Sequence, residues 1–230
     1  MKSAVIVFPG SNCDRDIAVT LSKVTGKKPL MIWHNENLIP KGIDLIVLPG
    51  GFTYGDYLRS GAIASTSKII SEVKNKANKG VAILGVCNGF QILTESGLLS
   101  GTLLPNKNLK FICKDVHLRV EENSSIFTKL FKSNEIITIP IAHHDGNYFV
   151  TEEELNILKS KNLIALRYCN PSGEVNIDSN PNGSVENIAG VFSSNKRVLG
   201  MMPHPERLAD IKLGGIEGLK FFESLLEGFS

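Results

Sequence analysis

Cys87 stands between two glycines, in the stretch GVCNG (Gly85 to Gly89), after the apolar run VAILGV and before NGFQILTESGLL. A thiol on a sharp strand-to-helix turn is the sulfur version of the G-x-S-x-G elbow, which presents a nucleophile at the carboxyl edge of a sheet. The following helix would aim its N-terminal amides and positive dipole end at the sulfur, which favours a thiolate and offers an anion site. Plain packing is the competing reading, because small buried cysteines after apolar strands are common. A second pattern is MMPHPER, Met201 to Arg207, where His204 lies between two prolines and Glu206 follows two residues on. Pro205 keeps His204 out of helical geometry, and in extended backbone residues two apart project to one side. A general base and the carboxylate that orients it would then sit together; the bland alternative is a surface turn with incidental charges. The acid follows the histidine here, whereas α/β-hydrolases run nucleophile, acid, histidine, so an ordinary hydrolase of that type is disfavoured. A third pattern, LPGGFTYGDYLRSGAIA from Leu48, ends a strand in Pro-Gly-Gly and leaves backbone amides uncovered. One oxyanion donor of that kind is worth about 2.7–4 kcal/mol in a transition state, although alone the loop is an ordinary glycine turn. Thiol, His-Glu pair and glycine loop together make a complete set for acyl transfer.

Something must hold these three segments at one edge. Strand-like and helix-like stretches alternate through the first half: SAVIVF, a helix from Asp14 to Val24, LMIWH, IDLIVLPGG, then a helix from Ser67 to Ala77. In that last helix Ile69, Ile70, Val73 and Ala77 mark one face. VAILGV suits a central buried strand, and Phe90, Leu93 and Thr94 continue at helical spacing towards a stop at Gly97. Such alternation predicts an α/β domain with a mostly parallel twisted sheet and helices on both faces. From Leu109 the texture changes. FICKDVHLRVEE alternates, IITIPIAH is extended, and NIAGVFSSNKRVLGMM reads as a hairpin turning at Ser194-Asn195, which predicts added antiparallel strands. A last helix is predicted with Ile216, Leu219, Phe222, Leu226 and Phe229 on one stripe. With no repeat and no low-complexity linker, one domain over residues 1–230 is expected.

Composition excludes other classes. The chain has 230 residues, 42% hydrophobic and 21% charged, with a formal net charge of +2 from 25 basic and 23 acidic residues. A domain of this size buries roughly three quarters of its unfolded surface and needs no staples. No basic block suggests nucleic acid, and no run approaches a membrane span. The apolar start MKSAVIVF breaks at Pro9-Gly10, too soon for a signal peptide. Cys13, Cys87, Cys113 and Cys169 form no CxxC pair, so free thiols in a reducing cytoplasm are expected.

PGGF, GVCNGFQ and PHPE resemble the three signatures of the class I, or triad-type, glutamine amidotransferases. Over a longer span FPGSNCDRD, PGGFTYGDYLRSGAIA, LGVCNGFQIL, NPNGS with NIAGV, and VLGMMPHPER occur from Phe8 to Arg207 in the family's order. They resemble the branch whose members serve as glutaminase subunits of phosphoribosylformylglycinamidine synthases. The resemblance implies a flavodoxin-like type 1 amidotransferase domain in which Cys87 attacks the glutamine side-chain amide and forms a thioester. His204 would move protons and Glu206 would orient the ring. Backbone groups of Gly50, Gly51, Phe52 and Asn88 would hold the oxyanion, while Gln91, His143 and His144 would lie against bound L-glutamine. On spacing alone, Gln91 reads as an exposed helix residue.

The resemblance departs at AHHDGNYF, where the family has His-Gly followed by Glu-Gly and this chain has His144 and Asp145 in place of the first glycine and the glutamate. That puts backbone geometry and glutamine affinity at issue. The His-His-Asp run lacks further spaced ligands, so no metal is expected, and His34 and His117 are read as satisfying local hydrogen bonds. No GxxxxGK[ST] pattern is present. The resemblance therefore implies that this chain binds no cofactor and that ATP and Mg belong to a large synthetase subunit, which receives ammonia and is joined by a small third subunit. A stand-alone cysteine hydrolase or peptidase of related fold is the alternative, and a non-catalytic scaffold would have lost Cys87, His204 or Glu206.

Overall fold

The computed structural model describes residues 1–229. In chain order the first half contains β1 (Ser3–Val7), α1 (Asp14–Thr25), β2 (Leu30–Trp33), β3 (Leu45–Leu48), α2 (Ala62–Ser65) and α3 (Lys68–Asn78). Then come β4 (Ala82–Val86), α4 (Asn88–Glu95), β5 (Thr102–Leu104), β6 (Ile112–Val120), β7 (Ile136–His143) and β8 (Asn147–Phe149). The chain closes with α5 (Glu152–Ser160), β9 (Ile164–Cys169), β10 (Ile188–Phe192), β11 (Val198–Met201) and α6 (Leu219–Gly228).

One sheet of nine strands runs in the order β2-β1-β3-β4-β11-β10-β9-β6-β7, and β5 pairs with β8 in a separate ribbon. The strands from β2 to β11 are parallel, and those from β10 to β7 alternate antiparallel. The α/β class with appended antiparallel strands is therefore the observed one. Every residue of β3 and β4 is buried, which is why both read as unbroken apolar runs rather than alternating ones. Helix α3 buries Ile69, Ile70, Val73 and Ala77, the face its spacing predicts. β10 and β11 form the expected hairpin. Among the described residues no helix is long and apolar enough to cross a membrane.

The C-terminal stripe needs correction. Ile216 lies before the helix and is 53% exposed, while α6 buries Phe221, Phe222 and Leu225. The phase is set by the larger side chains, with the Phe221 ring 4.7 Å from that of Phe131. Helix α5 and strand β9 were not foreseen. The signal for α5 was present: Thr151 and Glu154 form a reciprocal capping box.

Candidate active site

The elbow is real, and its tightness comes from how close α4 lies to the sheet. Cys87 turns the chain from β4 into α4 with φ 50° and ψ −107°, a strained conformation for a non-glycine residue at about 1–3 kcal/mol. A Cβ on Gly89 would lie 1.9 Å from the Leu48 carbonyl oxygen, and one on Gly85 would lie 2.7 Å from the Gly89 carbonyl oxygen. Glycine at both positions lets the helix start against β3 and β4, with its amide end beside the sulfur. The Cys87 side chain is buried, with Sγ 3.5 Å from the Ala142 carbonyl oxygen.

The histidine arrives on the neighbouring strand. β11 lies parallel to β4 with Gly200 opposite Gly85 and Met201 opposite Val86, so the chain leaves both strands side by side. The His204 backbone N–H donates to the Pro140 carbonyl at 2.9 Å, and its Nδ1 pairs with Glu206 Oε1 at 2.7 Å. The pair is not on extended backbone as its spacing suggests. Pro205–Leu208 forms a 3-10 turn, for which proline is a favoured first residue, and Glu206 reaches the ring from that turn. Burial opposes a charge on His204, but Glu206 and then the sulfurs of Cys87 and Cys13 outweigh it, so its pKa stands well above the ordinary value. With Glu206 as its counter-charge, the buried ring holds its proton more tightly than a free imidazole. Nε2 is buried with no hydrogen-bond partner among the described residues.

The glycine loop is fixed from behind. The Gly50 carbonyl accepts the backbone N–H groups of Asn12 and Cys13, both at 3.1 Å. Because a trans peptide is planar, this aims the Gly51 N–H the opposite way. A side chain at position 50 would not fit, since its Cβ would lie 2.7 Å from His204 Cε1. Phe52 departs from expectation: its N–H donates to the Gly10 carbonyl at 2.8 Å and is not free for an oxyanion. Among the described residues no hydrogen bond takes up the N–H of Gly51 or of Asn88, which leaves these two as donors. Cys13, Gly51, Cys87, Phe111 and His204 line a crevice of about 90 Å³, with the Phe52 and Phe111 rings 6.2 Å apart at its rim.

The third wall is the segment from Ala142 to Gly146, and it is held by a residue that sequence reasoning missed. Asn106, fully buried, accepts from Gly146 N–H at 3.0 Å, pairs with His143 Nδ1 at 3.1 Å and donates to the His143 carbonyl at 3.0 Å. PNKN at residues 105–108 reads as a turn, and only the segment it grips gives it meaning. His143 is held neutral, its pKa pushed down to about 4 by burial and by His204. His144 has no positive φ, so replacing a glycine there imposes no backbone strain. Gln91 is not exposed: it is buried, its Nε2 donates to the Asp145 carbonyl at 2.6 Å, and its Oε1 accepts from Asn88 at 2.7 Å. It joins α4 to the Ala142–Gly146 segment.

An acidic pair borders this wall. Ser60 donates to Asp145 at 2.5 Å, and burial, then the charge of Asp145, raises the Asp56 carboxyl to about 6. A raised carboxyl contributes stability that is complete below its ordinary value and lost as pH rises through about 6. Asp56→Asn is therefore expected to stabilise the fold by about 1 kcal/mol at about pH 8, discounted for its partial exposure, and by nothing near pH 4. Urea unfolding at both pH values measures this; equal effects at the two would refute it.

Residues 1–212 match the family described as the CobB/CobQ-like glutamine amidotransferase domain. The chain belongs to that family. Among curated relatives, the phosphoribosylformylglycinamidine synthase subunit PurQ of Rhodospirillum rubrum is 54% identical over 230 residues, all of both chains. The same-named subunit of Pelagibacter ubique is 54% identical over 226 residues, 98% of each chain. Among solved structures, a chain of PurLQS from Thermotoga maritima is 43% identical, with a TM-score of 0.87 and 100% and 99% of the two chains covered. In this amidotransferase, then, Cys87, His204 and Gly51 line one crevice, Gly50 and Asn88 adjoin them in the chain, and Glu206 backs the histidine. His143 and Gln91 support the wall. His144 is half-exposed at its edge, with Nδ1 2.6 Å from Asp145 Oδ1.

Proposed function

We infer that this chain is the glutaminase subunit of a phosphoribosylformylglycinamidine synthase, working in a complex with synthetase subunits. What carries the reading is that a chain matching PurQ subunits end to end keeps a thiol and an imidazole in one crevice, with a carboxylate paired to the ring from behind. The substrate is L-glutamine. Cys87 Sγ, as the thiolate paired with a protonated His204 ring, attacks the side-chain carboxamide carbon, and the oxyanion is held by the Gly51 and Asn88 N–H groups. His204 gives its Nε2 proton to the departing ammonia, leaving a γ-glutamyl thioester on Cys87. It then takes a proton from the attacking water, and glutamate leaves as the thiolate returns. Glu206 fixes ring and tautomer throughout.

Ammonia passes to the large synthetase subunit, which uses ATP and Mg to convert formylglycinamide ribonucleotide to its amidine in purine synthesis; a small third subunit completes the assembly in the cytoplasm. The chain binds no cofactor of its own, and residues 1–230 act as one glutaminase domain. A stand-alone peptidase is disfavoured because a crevice of about 90 Å³ takes a small group rather than a length of peptide. The test is labelling with a diazo-ketone analogue of glutamine, followed by peptide mapping with and without competing glutamine. One adduct on Cys87, suppressed by glutamine, is expected. Label on Cys13, Cys113 or Cys169 instead, or none in the assembled complex, would overturn the reading.

A further inference from the structure

The crevice holds a second thiol that acyl transfer does not use. Cys13 is buried at the foot of α1, with Sγ 3.9 Å from His204 Nδ1, and the Arg207 guanidinium donates to that sulfur at 3.1 Å. Donor atoms of Cys13, His204 and Glu206 all lie within 4.8 Å of one another. An independent sign points to a ligand: Glu206 is 1% exposed, and its Oε2 has no hydrogen-bond partner among the described residues.

A thiolate, an imidazole and a carboxylate are the donor set of a borderline-soft divalent ion. Around tetrahedral zinc, with bonds of about 2.0–2.3 Å, such donors stand about 3.3–3.6 Å apart. The Cys13–His204 distance of 3.9 Å would close by a few tenths of an ångström, and the His204–Glu206 distance of 2.7 Å would open by about half an ångström.

We propose that Cys13, His204 and Glu206 form an inhibitory Zn²⁺ site that captures the catalytic histidine from the side away from the nucleophile. The ion takes the place of the Cys13 thiol proton and the His204 Nδ1 proton, which are released to solvent. Thiolate and carboxylate balance its charge, and Arg207, freed from the sulfur, turns to Asp16, whose carboxylate already lies 3.8 Å away. With its Nδ1 metallated and Glu206 withdrawn, the ring no longer cycles a proton at Nε2. The inhibitory part rests on the glutaminase reading above; the binding part does not.

The test titrates the full chain with Zn²⁺ against a chromogenic chelator, and with Co²⁺ for its thiolate charge-transfer band. One ion per chain at micromolar concentration is expected, retained in Cys87→Ser. Binding should weaken about 100-fold in both Cys13→Ser and Cys13→Ala, the upper end of what even outer partners of a metal contribute. Glutaminase activity of the assembled complex should fall in step with occupancy and return with a chelator. Binding kept in both Cys13 variants and lost in Cys87→Ser would place the ion on the nucleophile and overturn the proposal, as would no binding at micromolar Zn²⁺. Full occupancy without inhibition would overturn the regulatory part. Absence of glutaminase activity in the metal-free complex would instead count against the proposed function and leave the binding result standing.

Discussion

Replacing Cys87 by alanine is expected to lower glutamine-dependent synthesis by the complex about 10⁴-fold or more, while synthesis from added ammonium salt persists. Only the thioester route passes through Sγ, and removing a nucleophile typically leaves just the residual rate supplied by the oxyanion donors and binding. The partner's chemistry, fed with ammonia directly, does not meet this crevice. The backbone adds a second, independent readout. At φ 50° and ψ −107° position 87 strains any residue with a Cβ. Cys87→Gly should therefore be as inactive as Cys87→Ala but more stable by about 1 kcal/mol. Paired assays with glutamine and with ammonia, alongside urea unfolding of both variants, check the two halves. Equal loss of both activities would make the cysteine a packing residue after all.

Gly89→Ala carries the largest expected structural effect. Its Cβ would lie 1.9 Å from the Leu48 carbonyl oxygen and 2.9 Å from the Leu48 Cβ. Both partners belong to β3, fully buried between β1 and β4, so neither strand nor helix start can give way cheaply. A loss of about 3 kcal/mol or more is expected, together with displaced α4 amides and a fall in activity. Gly97→Ala makes the comparison. Gly97 has φ 74° with nothing within 4 Å of an added Cβ, so alanine there should lose only about 1 kcal/mol of backbone preference. Denaturant midpoints of the two variants decide the matter; a Gly89→Ala protein as stable as Gly97→Ala would show that α4 is not pressed onto the sheet.

Much of this was readable from local pattern. Unbroken apolar runs marked β3 and β4, spacing marked the buried face of α3, and GVCNG marked the elbow, because each depends on near neighbours in the chain. What escaped depends on partners far along it. Asn106 acquires a role only when β7 brings the His143 backbone to it, 37 residues away. Phe52 looked like an oxyanion donor until the Gly10 carbonyl took its N–H. Gln91 looked exposed because helical spacing does not show that Asp145 closes over it. The stripe of α6 was legible only in part for the same reason: Phe222 lies in the core as its spacing predicts, while Phe131, from a distant turn, draws Phe221 in beside it.

The insertion of β11 between β4 and β10 also dictates when the enzyme can come into being. Strands β1 to β4 are synthesised in the first 86 residues, yet β4 gains its second neighbour only when residues 198–201 have emerged. Until then a strand buried along its whole length in the finished fold is a bare edge, the kind of template on which nascent chains aggregate. Its final pairing spans half the sequence, a long loop to close and hence a slow step. The same delay has a protective side. His204 does not stand beside the elbow thiol before the last parallel strand docks, so sulfur and base meet only once the parallel half of the sheet is complete.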